Sequence, residues 1–64
     1  MIPLRAQLEE VNREVALRRR VYARWVKEGS HDMTQKKADT KIATMEAVAA
    51  TLRELIQREE ALPL

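Results

Sequence analysis

The chain has 64 residues, no cysteine, one histidine and a formal net charge of +2. A chain this short buries only about 60% of the surface its unfolded form exposes, so a fold standing alone is marginal. The composition excludes a disulfide framework and a zinc cluster as supports, which leaves self-association as the remaining prop for a small scaffold. Apolar residues at 45% are too many for a charged disordered tail, and +2 is too small a charge to signal nucleic-acid binding by itself. The apolar runs fall far short of the ~20 residues of a membrane span, and Met1–Pro3 lacks the features of a signal peptide, so the expectation is a cytoplasmic protein without membrane contact.

The first predicted element runs over about 4–28. Leu4, Leu8, Val11, Val15, Arg18, Tyr22 and Trp25 recur at spacings of four and three, which keeps one helical face against a partner. Gly29 supplies the left-handed residue that closes such a helix. Arg24 and Lys27 sit near the negative end of the helix dipole, where cations are favoured. A turn is predicted over about 29–33, through GSHDM. Thr34 is the predicted cap of the second helix, with Asp32 as the competing cap and Met33 and Ala38 placed for a hydrophobic staple.

Helix two is predicted over about 34–61, with Ala38, Ile42, Met45, Ala49, Leu52, Ile56 and Glu59 in the same four-three spacing and Pro63 beyond its end. Folding one helix back on the other pairs Trp25 with Ala38, Tyr22 with Ile42, Arg18 with Met45, Val15 with Ala49, Val11 with Leu52 and Leu8 with Ile56. One register aligns every pair, so the expectation is an all-α antiparallel hairpin in a single domain spanning 1–64. Its predicted core is Leu8, Val11, Val15, Tyr22, Trp25, Ile42, Met45, Leu52 and Ile56.

A second apolar stripe is left over: Leu17 and Val21 on the first helix, Val48, Leu55 and Leu62 on the second. Ala43, Ala47 and Ala50 form a ridge small enough for another backbone to approach, although alanine also occurs for helix propensity alone. Stripe and ridge together predict a homodimer that completes a four-helix bundle.

Arg18, Arg19 and Arg20 point in three directions at 100° per residue and do not make one flat patch. Arg18 faces the seam, where a guanidinium needs a partner, and Glu14 or Glu46 is placed to form an ion pair that fixes register. Residues 18–41 carry eight Lys or Arg against three acids, a balance of +5, whereas the rest of the chain carries four against seven, a balance of −3. The turn end is basic and the open end acidic.

Two explanations compete for this polarity. It orients an antiparallel dimer, or it makes Arg19, Arg20, Arg24, Lys27, Lys36, Lys37 and Lys41 a binding site for an anion or an acidic partner. For nucleic acid, Tyr22 and Trp25 would have to be free to stack, but their spacing places them in the seam. No glycine-rich phosphate loop is present in a chain with one glycine. His31 beside Ser30 and Asp32 in a turn is not the mutually oriented set that nucleophilic chemistry needs. No catalytic residue, metal ligand or cofactor is therefore assigned.

The stretches ALRRRVYARWV and MTQKKADTKIATMEAVAATLREL resemble small two-helix proteins encoded by bacteriophages and prophages, over roughly residues 4–56. The KEGSHD turn is longer than in that pattern, and the resemblance assigns no residue a role. It implies a setting: a phage product in a bacterial cytoplasm, where small non-enzymatic proteins act by binding a host protein or sequestering a small molecule. Joined to the apolar stripes, the expectation is a non-enzymatic homo-oligomer that binds and inhibits a host protein. Two alternatives stand beside it. One is an oligomeric sponge for a nucleotide immune signal, and the other is a nucleic-acid-binding accessory protein using the basic turn end.

Overall fold

The computed structural model describes residues 1–61 and consists of two helices packed against each other, α1 (Leu4–Glu28) and α2 (Gln35–Ala61). Leu62 and Pro63, assigned above to the second stripe and to the helix end, lie outside the described residues. Among the described residues no strand is present. At 1.5 Å per residue, each helix is roughly 40 Å long.

α1 starts without a side-chain cap. Pro3, at φ −59° and ψ 149°, has no hydroxyl or carboxylate to offer, and its carbonyl accepts the Gln7 backbone N–H at 3.1 Å. The Gln7 side-chain amide reaches back to the Ile2 carbonyl at 2.9 Å. The C-terminus is more completely closed. Gly29 adopts φ 66°, its N–H bonds the Val26 carbonyl at 3.3 Å, and the Ser30 N–H bonds the Trp25 carbonyl at 3.0 Å. Those two bonds are a Schellman motif, which satisfies carbonyls that the helix end would otherwise orphan.

The turn then reverses through two more left-handed residues, His31 at φ 58° and Asp32 at φ 51°. The Met33 N–H donates to the Ser30 carbonyl at 3.2 Å, closing a four-residue turn whose central pair both have positive φ. Asp and His are among the residue types that tolerate this region best, so the turn forms without a second glycine. Thr34, rather than Asp32, caps α2: its Oγ1 accepts the Lys37 backbone N–H at 3.1 Å.

The core lies along a single seam. Ala38, Ile42, Ala49 and Ile56 are buried, all from α2, while no residue of α1 is buried to the same degree. Leu8, Val11, Val15, Tyr22, Trp25, Met45 and Leu52, expected in the core, lie on the seam half-buried. The physical reason is size. Ala38 and Ala49 are short enough to be covered completely by what faces them, whereas the large side chains of α1 overhang a two-helix contact that has no second layer. Ile42 and Ile56 each contribute roughly 1.5–3 kcal/mol by leaving water. Two such residues and two alanines are a thin core for a chain of 64 residues.

Candidate functional site

The seam divides the hairpin surface into two flanks, and the helical period decides which residues each receives. Arg5, Arg19 and Val26 of α1 share one flank with Asp39, Glu46, Arg53 and Glu60 of α2, and across it run the ion pairs Arg5–Glu60 and Arg19–Glu46. The residue numbers of both pairs have the same total, so one register holds from the open end to past the middle of α1. The guanidinium reaching across to Glu46 is therefore that of Arg19. Arg18 remains on its own helix, its Nε donating to Glu14 Oε1 at 2.8 Å. The Arg18 side chain is 37% exposed, not buried as its seam position suggests, because a guanidinium can slide along a two-helix seam to its edge. The Glu14 hydrogen bond raises the Arg18 pKa from its ordinary value, opposed in part by desolvation.

The alanine ridge does not join the apolar stripe. Ala43 lies in a groove on the ionic flank with Arg19, Asp39 and Glu46, and Ala50 lies in another with Asn12, Arg19 and Arg53. Ala47 is exposed. Ala43 and Ala50 line the flank that the Arg19–Glu46 pair occupies, so stripe and ridge, both assigned to the dimer interface, lie on different sides of the seam.

The opposite flank is apolar. Leu17, Val48 and Leu55 are 44%, 43% and 40% exposed, and Val21 beside them is half-buried. Leu17 and Val21 share a surface notch with Arg20 and Arg24, so its apolar floor has a cationic rim. Apart from Met1 and Ile2, these three are the large hydrophobic residues most open to water among those described.

At the turn end the cations fall into two sets. Lys37 is engaged, its Nζ lying 3.2 Å from the Asp32 carboxylate and 3.1 Å from the Asp32 carbonyl, and Arg19 is engaged with Glu46. Arg20, Arg24, Lys27, Lys36 and Lys41 have no ion-pair partner among the described residues. Lys36, Lys37, Thr40 and Lys41 line one shallow depression on α2. The Asp32 contacts offset the unfavourable position of Lys37 in the first turn of α2, and Lys36 has no such contact.

The aromatic residues are already occupied. The His31 ring lies on Trp25 at a centroid distance of 3.9 Å and an interplanar angle of 17°, and Tyr22 meets Trp25 at 5.8 Å with a 41° tilt. A base stacking on Trp25 from the turn side would have to displace His31. Sequence reasoning left His31 as an isolated turn residue. Three left-handed residues within four positions bring it back over the end of α1, and only the glycine among them could have been foreseen. His31 Nδ1 is 3.1 Å from Ser30 Oγ, a contact between exposed neighbours. Among the described residues no group of three or more His, Cys, Asp or Glu side chains is gathered to hold a metal ion, and no helix is long and apolar enough to cross a membrane. No protein family, curated protein or solved structure matches the chain.

Proposed function

We propose that the chain is a non-enzymatic accessory protein of a bacteriophage that works by protein-protein contact, as a homo-oligomer, and binds and inhibits a bacterial host factor in the cytoplasm. The observation that carries this reading is the exposed apolar flank of Leu17, Val48 and Leu55 on a hairpin whose own core holds four buried residues. Apolar surface gathered on one side of a marginal scaffold is stabilised by being covered. The five unpaired cations at the turn end support a partner with an acidic surface, because charges left without an internal partner remain available to an external one. The phage setting rests on the resemblance of the two quoted stretches.

The experiment has two arms. Light scattering on the purified chain should give a mass of at least twice the 7.4 kDa of one polypeptide. Pull-down from a bacterial lysate should recover a single protein in fixed ratio, and that recovery should be lost in the triple variant Arg20→Ser, Arg24→Ser, Lys27→Ser while helicity is kept. A monomer that captures nothing overturns the reading.

A further inference from the structure

We infer that the apolar flank is the self-association surface of this chain and that two copies meet across it antiparallel, each basic turn lying on the acidic open end of the other. This rests on the homo-oligomeric reading above and adds to it which surface is used and in which direction.

Three observations converge on a second copy as the occupant. The first is the division of the molecule. The ionic flank is tied across the seam by Arg5–Glu60 and Arg19–Glu46, while the flank of Leu17, Val21, Val48 and Leu55 has apolar groups directed to solvent.

The second is where the patch sits along the rod. In the register set by the cross-helix pairs Arg5–Glu60 and Arg19–Glu46, Val48 lies level with Leu17 and Leu55 level with Glu10. The patch therefore extends from Val21 near the turn to Leu55 near the open end, and its midpoint is close to the middle of the helices. A two-fold axis through that midpoint lays patch on patch over the whole length, as an isologous interface requires. The patch spans about eleven residues, ~17 Å along the rod, so it forms the apolar centre of such an interface and the polar lengths on either side form its rim.

The third is charge. Residues 18–41 carry +5 and the remainder −3. Arg20 and Arg24, on the rim of the Leu17–Val21 notch, have no ion-pair partner among the described residues, nor does Lys41. Rotation about the central axis brings this group toward the open end, whose acids on this side are Glu10 and Glu59. A parallel pairing through the same patch would instead stack +5 on +5, and like charges set against each other suppress that arrangement. The apolar patch thus supplies the attraction and the lengthwise charge gradient selects the direction.

The test uses the full chain. Light scattering with circular dichroism compares the parent with Leu17→Lys/Val48→Lys. The expected result is a dimer that becomes a helical monomer, with association weakened at least a hundredfold. If the lysine pair loses helicity, Leu17→Ser/Val48→Ser repeats the measurement. Direction is read separately by a spin label at Lys36→Cys. At 1.5 Å per residue the two labels of an antiparallel dimer stand on the order of 35 Å apart, whereas a parallel dimer brings them within about 20 Å. A dimer that survives both flank variants overturns this surface and leaves the oligomeric reading standing. A short label distance overturns the direction alone. A helical monomer of the parent chain up to 0.5 mM on the order of typical concentrations for weak dimers overturns both.

Discussion

The two flanks of this hairpin are built on the same pair of helices and the same register, yet one is tied across by arginine-glutamate pairs and the other exposes leucine and valine. The difference shows how little a shared seam dictates about its borders. The seam needs apolar residues at spacings of four and three, and positions one step to either side are free to hold salt bridges or hydrophobes. On one flank two arginine-glutamate pairs bridge the helices directly. A flank whose side chains are apolar gains only by being covered, which is why function is assigned to that side.

The comparison is sharpened first by the seam beneath both flanks. Ile42→Ala should lower stability by about 2–4 kcal/mol, because a buried isoleucine loses its transfer energy and leaves a cavity that two helices close only in part. Urea unfolding reads this, and a loss below about 1 kcal/mol would mean that Ile42 is not in a packed core. Overfilling the same seam should cost somewhat less. Ala49, at 2% exposure, has no room for a larger side chain, and Ala49→Leu should destabilise by about 1–3 kcal/mol by pushing the helices apart.

On the apolar flank the effect should appear in assembly before it appears in the fold. Leu55→Gln is expected to change unfolding of the isolated hairpin by about 0.5 kcal/mol or less, as for an exposed site, while weakening association roughly tenfold. Equal losses in both measurements would erase the distinction between the flanks. On the ionic flank the smallest effect is expected. A double-mutant cycle of Arg19→Ala and Glu46→Ala should give a coupling of about 0.2–1 kcal/mol, since both side chains are more than half exposed. That coupling should fade in about 1 M salt, where the screening length falls to about 3 Å. A coupling above about 2 kcal/mol that persists in high salt would show that the pair is shielded by something the hairpin alone does not provide.

Much of this architecture was legible from spacing. The four-three periodicity located both helices and the side of each that faces the other, and Gly29 and Thr34 marked where one ends and the next begins. The partner of Glu46 was not legible. Sequence position puts Arg18 on the seam with Glu14 or Glu46 as its partner and Arg19 about 100° further round; the structure pairs Arg18 with Glu14 and gives Glu46 to Arg19. A long cation at the edge of a two-helix contact reaches over the top of the seam more easily than one beneath it, and Arg18 has Glu14 four residues away on its own helix. The flank of the alanine ridge was not legible for a related reason: spacing along one helix gives a direction only relative to that helix, and the cross-helix pairs show which flank the ridge lines. The His31–Trp25 stack was hidden because it depends on backbone angles in the turn that residue types favour only weakly.

That stack also provides a built-in means of observation. Trp25 is the chain's one indole and lies under His31 at the bend, roughly 30 Å from the opposite end of the rods. Its emission therefore senses opening of the bend and is nearly blind to fraying where the termini meet, so fluorescence and circular dichroism recorded together should separate unzipping from the two extremities in a single melt.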